Sequence, residues 1–343
     1  LRELNTSLLI PIASKNTLWG IISLGPKLSD ISYSREDKQM LTAAALQIAF
    51  AIENSNLIRH AIEEQKLKKE LEMATEVQRR LFPQTSPSIF EAEIAGSCFP
   101  ARGVAGDYYD FIQLNEDRLG IAIADVAGKG LSAALLMSVV QASLRSQAAN
   151  VPSLTELVAT MNQLLHHSTS SNSYATFFYA EYHWKDQTLT YVNAGHNPPL
   201  LVRQIRHDIT ELVPPLPATA NTLGLSGVAV ATLPEVSQIT TQAQCLKLET
   251  GGPVIGLLEL CTYQQATIQL QSGDTLVAFT DGVTEAFNSN GEEFGETRLE
   301  ELILSNLHLS AEALKCHIIN YLEEWCLNTP QHDDITVVVL KIS

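Results

Sequence analysis

No run of apolar residues in this 343-residue chain is long enough to cross a bilayer. The longest, residues 41–52, has twelve residues including a glutamine, against the roughly 20 that a spanning helix needs. Basic charge is also scarce, with 22 Lys and Arg against 38 Asp and Glu and a net charge of −16. That excludes a broad nucleic-acid surface, which would need clustered Lys and Arg. The five cysteines, Cys98, Cys245, Cys261, Cys316 and Cys326, are odd in number and show no C-x-x-C spacing, so a disulfide framework or a thiolate zinc site has no support. A soluble chain in a reducing, cytoplasmic setting is expected. The chain opens on leucine, with neither initiator methionine nor signal peptide, and is expected to be a fragment of something longer.

The acidity is unevenly placed. Residues 1–80 carry 11 basic and 10 acidic side chains, and residues 81–343 carry 11 and 28. The second part therefore suits a cation-binding protein as well as a merely soluble one.

Hydrophobic patterning divides the chain in three. In residues 7–24, "SLLIPIASKNTLWGIISL" predicts two strands about a polar turn, and a helix follows, with Ser34 as N-cap and Glu36 and Asp37 in its first turn. The helix is expected to continue through residues 58–82, with no Gly or Pro before Pro83. A heptad register places Phe50, Leu57, Glu64, Leu71 and Gln78 in one row and His60, Leu67, Ala74 and Leu81 in the other. Polar members in both rows leave two readings open: a solvated connector, or a parallel dimer helix that transmits a signal.

From residue 83 onward strands are expected over 108–114 and 118–124, helices over 131–147 and 153–167, and strands over 174–184, 188–193 and the short "LLVR". Residues 212–246 hold a single charged residue, Glu235, and read as a surface excursion. Strands "ATIQL" and "DTLVAFT", a turn "DGVTEAFN", two helices ending near Cys326 and a last strand "DDITVVVLKI" complete the chain. This order predicts an α+β fold, a β-sandwich with helices outside.

Aspartates recur at the mouths of these strands: Asp107 in "GDYYDF", Asp125 in "IADVAGKG", Asp281 in "VAFTDGVTEA", and Asp333 and Asp334 in "QHDDITVVV". One Asp beside Gly is an ordinary turn. Several converging carboxylates cannot all ionise unless a cation offsets them. An all-oxygen set without clustered Cys or paired His selects Mg²⁺ or Mn²⁺ over zinc or copper. Two such ions sharing a carboxylate can activate a water toward phosphorus.

The ordered motifs "ELEMATEVQRRLFP", "GDYYDF", "IADVAGKGLSAALLMS", "YATFFYAEY", "YVNAGHNPPLL", "GLLE", "LVAFTDGVTEAFNSNGEEFG" and "DDITVVVL" resemble the bacterial metal-dependent protein phosphatases of the stage II sporulation protein E and RsbU type, relatives of the type 2C serine/threonine phosphatases. The resemblance runs from about residue 70 to the C-terminus, excepting 212–246. It implies an α-β-β-α sandwich over 83–343 that hydrolyses phosphoserine or phosphothreonine on a protein without a phosphoenzyme. The implied substrate is a phosphorylated anti-sigma-factor antagonist or a similar regulatory protein.

Carried over residue by residue, the resemblance implies two divalent ions, Mn²⁺ or Mg²⁺. Asp125 would bridge them, with the Val126 carbonyl completing one shell. Asp107 would serve that same ion, directly or through water. Asp281 and Asp333 would hold the other, with Asp334 the less favoured of its pair. Gly106, Gly128, Gly130 and Gly282 would be turns allowing close approach. Eukaryotic relatives carry a candidate acid histidine just after their bridging Asp-Gly, where this chain reads "DVAGKG". His196 and His332 are the nearest alternatives, though backbone-bonded turn histidines are the expected role for both. No arginine clamp for phosphate stands out, and Arg102 is the one candidate.

Residues 1–58 resemble the C-terminal half of a GAF sensory domain, including the entry Tyr33-Ser34-Arg35-Glu36-Asp37. With 59–82 as connector, the leading expectation is a homodimer through that helix in which the sensory part biases catalysis. The competing readings are a catalytically silent phosphatase-like regulator and a Ca²⁺-stabilised module. The latter lacks an EF-hand loop, and the former is expected to have lost a carboxylate.

Overall fold

The computed structural model describes residues 6–15, 17–29, 31–89, 91–168, 173–209, 238–327 and 329–343. The chain forms two compact units, Leu1–Ala74 and Thr75–Ser343.

In the first unit, β1 (Leu8–Ser14) and β2 (Thr17–Leu24) form an antiparallel hairpin. Helix α1 (Arg35–Arg79) follows. Its start is capped reciprocally: the Asp37 N–H donates to Ser34 Oγ at 3.1 Å and the Ser34 N–H to Asp37 Oδ2 at 2.7 Å, a capping box with Asp in the usual Glu place. No helix among the described residues is long and apolar enough to cross a membrane.

The second unit begins within the last turns of α1 and continues through β3 (Ala92–Phe99), β4 (Tyr108–Gln113), β5 (Arg118–Val126), α2 (Leu131–Gln147), α3 (Leu154–Ser168), β6 (Ala175–His183), β7 (Thr188–Ala194) and β8 (Leu200–Ile209). Then come β9 (Gln238–Lys247), β10 (Gly251–Gly252), β11 (Ala266–Gln269), β12 (Thr275–Phe279), α4 (Asp281–Thr284), α5 (Glu296–Ser305), α6 (Ala311–Trp325) and β13 (Ile335–Ile342). One sheet runs β10-β7-β6-β5-β4 with β11 also on β7, and the other runs β3-β13-β12-β8-β9.

Alternation along the strands builds the layers. Leu119, Ile121 and Ile123 of β5 meet Val338, Leu340 and Ile342 of β13 between the sheets. Ala122, Ala124 and Val126 pack under Met137, Val140 and Leu144 of α2 and Leu157 and Met161 of α3. On the far side Val337 and Val339 meet Leu299, Leu314 and Ile318 of α5 and α6. This is the expected α-β-β-α sandwich. Strands buried on both faces read as continuous apolar runs, as in "TVVVL".

Three elements depart from expectation. β3 was not foreseen, because "AEIAGSCF" is poor in β-branched residues; its full-length pairing with β13 makes it a strand. β8 extends well beyond "LLVR". Of the expected excursion over 212–246, residues 212–237 lie outside the described residues, and 238–246 belong to β9, which pairs antiparallel with β8.

Candidate active site

The topology brings four strand ends to one rim. β4 begins one residue after Asp107, and its antiparallel neighbour β5 ends one residue after Asp125. In the other sheet β12 ends two residues before Asp281, while antiparallel β13 begins directly after Asp334. All five aspartates therefore meet across the two sheets.

Side-chain bonds stitch the rim together. Buried Asp107 accepts, on Oδ2, the hydroxyls of Thr280 at 2.7 Å and Thr336 at 2.6 Å. In the reverse direction Asp334 accepts the Ala101 N–H on Oδ1 at 2.7 Å and the Gly106 N–H on Oδ2 at 2.6 Å. The two members of the "DD" pair thus do different things. Asp334 spends both oxygens on backbone amides, whereas Asp333 Oδ2 pairs with Lys129 Nζ at 2.7 Å.

The electrostatics are those of crowded carboxylates. Burial, then the Asp125 charge, pushes Asp107 well above the usual carboxylate range. Asp125 is pushed up to about 7, by burial first and then by Asp281, Asp333 and Asp334. Asp281 is raised by burial and by Asp333, with the Gly282 N–H and Lys129 pulling the other way. Glu285, which the sequence reading did not single out, is raised by burial and by Asp281, Glu293 and Asp333.

Gly282 has to be glycine: a Cβ there would stand 2.0 Å from the Asp334 carbonyl oxygen. Gly128 and Gly130 take φ of 110° and 78° around Lys129, the left-handed region glycine tolerates. A Cβ on Gly106 would meet the Val126 carbonyl oxygen at 3.2 Å, so that carbonyl lies against the same turn.

The second aspartate of "GDYYD" points elsewhere. Asp110 is fully buried and held by Arg145, Nε at 2.7 Å and the second nitrogen at 2.9 Å, and by the Tyr108 hydroxyl at 2.6 Å. His196 is buried and pushed down to about 4 by that burial. Its Nδ1 meets Thr176 Oγ1 at 2.8 Å, and its backbone exchanges hydrogen bonds with the Asn193 side chain. Nε2 is enclosed, with the Phe279 backbone as neighbour but outside hydrogen-bond geometry. His332 offers its carbonyl to Lys129 Nζ at 2.9 Å and its ring to Phe287. Among the described residues Arg102 makes no hydrogen bond or ion pair with the carboxylates.

The end of α1 reaches this region. Buried Gln78 donates to the Ala105 carbonyl at 2.7 Å and accepts the Ala105 N–H at 2.8 Å, and Gln141 donates to the Leu81 carbonyl at 2.9 Å. The heptad register had put Gln78 and Leu81 on a dimer seam. Here a primary amide matches the backbone N–H and C=O of one buried residue, Ala105, and Leu81 packs against the α2–α3 core.

Among the described residues no three His, Cys, Asp or Glu side chains close on one point as ligands of a single ion. Magnesium-type ions need less than that, usually one or two carboxylates with water and substrate oxygens completing the shell. Mutually raised, oxygen-only carboxylates fit such ions, since a dication offsets what drives the pKa values up.

A model of the stage II sporulation protein E family matches residues 115–240 and 228–343. The chain is 28% identical over 278 residues to phosphoserine phosphatase RsbU of Bacillus subtilis, covering 81% of this chain and 71% of that protein. It is 24% identical over 316 residues to protein IcfG of Synechocystis, covering 83% of this chain but 43% of that one. The chain thus spans less than half of IcfG. Among solved structures, the PP2C domain of SiaA from Pseudomonas aeruginosa superposes with a TM-score of 0.61 at 19% identity, covering 82% of this chain and all of that one; this likeness bears on fold alone.

Proposed function

The chain belongs to the stage II sporulation protein E family, and on that premise we propose that it is a metal-dependent protein phosphatase acting on phosphoserine or phosphothreonine of a regulatory protein. The observation that carries this is the convergence of Asp107, Asp125, Asp281 and Asp333 on one rim, where burial and neighbouring carboxylates raise the pKa of Asp107, Asp125 and Asp281. RsbU's name, phosphoserine phosphatase, supports the substrate class. An anti-sigma-factor antagonist or similar small protein is the proposed bearer of the phosphate.

Two Mg²⁺ or Mn²⁺ ions, when bound, would supply Lewis acidity and an activated water. Asp125 is assigned to both ions, the Val126 carbonyl and Asp107 to one, and Asp281 and Asp333 to the other. The Thr280 and Thr336 hydroxyls, both donated to Asp107 Oδ2, orient that carboxylate for this role. Asp334 is assigned to holding the Ala101 and Gly106 amides, and so the turn that presents Asp107. His196, enclosed and held neutral by burial, orients Thr176 and the turn at 193–196 and takes no proton from solvent.

We assign residues 1–58 to a GAF-like sensory fragment and residues 59–82 to the connector. Phe50, Leu57 and Leu67 are exposed on α1, which supports a homodimer along its N-terminal three-quarters. Its last turn grips the Ala105 peptide two residues before Asp107. A shift of that turn would alter the presentation of Asp107, the two-state element that regulation requires.

The test is hydrolysis of phosphoserine and phosphothreonine peptides by the full chain, with Mn²⁺ and with EDTA. Mn²⁺-dependent release of phosphate is expected. Mn²⁺ binding with no turnover on any phosphopeptide or phosphoprotein would sink the enzyme reading in favour of a silent binding module.

A further inference from the structure

Phosphate reaching this rim meets a charge problem that the aspartates make worse. A phosphoserine carries about −1.5 to −2 charge at neutral pH. Asp107, Asp125, Asp281, Asp333 and Asp334 already face one another, with Glu285 beside them. Two divalent ions would not offset six ionised carboxylates, so the site needs a further cation to attract the substrate. We propose that this cation is Lys129, whose ammonium binds the phosphoryl oxygens of the substrate; the inference rests on the phosphatase reading above.

Placement supports the role. Lys129 Nζ lies 2.7 Å from Asp333 Oδ2 and 2.9 Å from the His332 carbonyl oxygen. It also lines a cavity of about 390 Å³ together with Gly282, Glu285, Phe287, Leu322 and Asp333. The ammonium therefore stands where the carboxylate rim opens into a space a phosphorylated segment can enter. Of the other cations near the rim among the described residues, Arg145 is spent on buried Asp110, His196 is enclosed and neutral, and Arg102, next to the Ala101 amide that Asp334 holds, makes no ion pair with the carboxylates.

The lysine is also free to change partners. The Lys129 and Asp333 side chains keep 42% and 35% of their exposure, and a pair so open to water contributes little. Gly128 and Gly130 flank it with positive φ, and a Cβ on either would meet nothing within 4 Å. The four-carbon stem can thus turn from Asp333 to a phosphoryl oxygen at little cost.

The test compares the full wild-type chain with Lys129→Ala and Lys129→Arg. Calorimetry measures Mn²⁺ binding first, then inorganic phosphate binding to the Mn²⁺-loaded protein, and kinetics on p-nitrophenyl phosphate supply KM and kcat. Loss of one charge-assisted contact predicts phosphate affinity weaker by about 10- to 100-fold in Lys129→Ala, with KM rising in step. Mn²⁺ affinity should be unchanged or tighter, since Asp333 loses a competing cation, and Lys129→Arg should recover most of the phosphate affinity. Phosphate affinity and KM within twofold of wild type in Lys129→Ala would overturn the proposal. So would a loss of phosphate that merely follows weaker Mn²⁺ binding, or a Mn²⁺-loaded wild type that binds no phosphate. A wild type that binds Mn²⁺ and phosphate but hydrolyses nothing would defeat the phosphatase reading alone, and the Lys129→Ala affinity would still decide the lysine.

Discussion

Replacing Asp125 by asparagine should stabilise the protein without metal and destroy its response to metal. The Asp125 carboxyl is pushed from an ordinary 3.8 up to about 7, by burial first and then by Asp281, Asp333 and Asp334. At about 1.4 kcal/mol per pH unit, that displacement sets a ceiling of ~4 kcal/mol on what the ionised group costs the folded state above neutral pH. Asparagine keeps the shape and removes the charge. A buried amide also loses hydration, so the expected net gain is about 1–3 kcal/mol at pH 8, or about 2–10 °C in Tm for a domain of this size.

The sign follows from linkage. A raised folded pKa makes a contribution that is fully present below about pH 4 and lost as pH rises through about 7. In EDTA the gap between Asp125→Asn and wild type should therefore open between those values. Thermal unfolding at pH 5 and pH 8 reads it. Mn²⁺ should then raise the wild-type Tm by mass action and leave the variant almost unmoved. A variant less stable than wild type in EDTA at pH 8, or one stabilised equally by Mn²⁺, would refute the reasoning.

Other substitutions separate ligands from scaffold. Asp334→Ala removes the acceptor of the Ala101 and Gly106 amides and should cost about 3 kcal/mol in urea unfolding, whereas Asp333→Asn should leave stability nearly intact and weaken Mn²⁺ binding in calorimetry. Gly282→Ala drives a Cβ onto the Asp334 carbonyl; loss of activity with about 1–3 kcal/mol of destabilisation is expected from the same unfolding assay. Gln78→Leu leaves both polar groups of the Ala105 peptide buried and unpaired, which should cost about 2–4 kcal/mol and raise the Mn²⁺ concentration for half-maximal activity.

Local patterning predicted much of this architecture because the central strands β5, β6, β12 and β13 are buried on both faces and announce themselves as apolar runs, and α2 coincides with the expected 131–147. The misses have physical causes. β3 gains its identity from pairing with β13, a tertiary partner invisible to local patterning. Gln78 looked like a polar fault in a heptad, and only the fold shows the peptide that it satisfies. At the rim, spacing identified the aspartates, but not that Thr280 and Thr336 would hold Asp107 or that Asp334 would hold backbone. Those roles depend on which sheet end meets which. Lys129 sat within a quoted motif and drew no role of its own, since its partner Asp333 lies about two hundred residues away.

The central claim is that these aspartates exist to hold ions that turn water on phosphorus. Its most direct test is hydrolysis of p-nitrophenyl phosphate by the full chain across a Mn²⁺ titration, with Asp125→Asn and Asp281→Asn alongside. Activity should rise with metal, vanish in EDTA and fall by at least about 100-fold in both variants. Hydrolysis that persists in EDTA, or that survives in Asp125→Asn at saturating Mn²⁺, would contradict that claim.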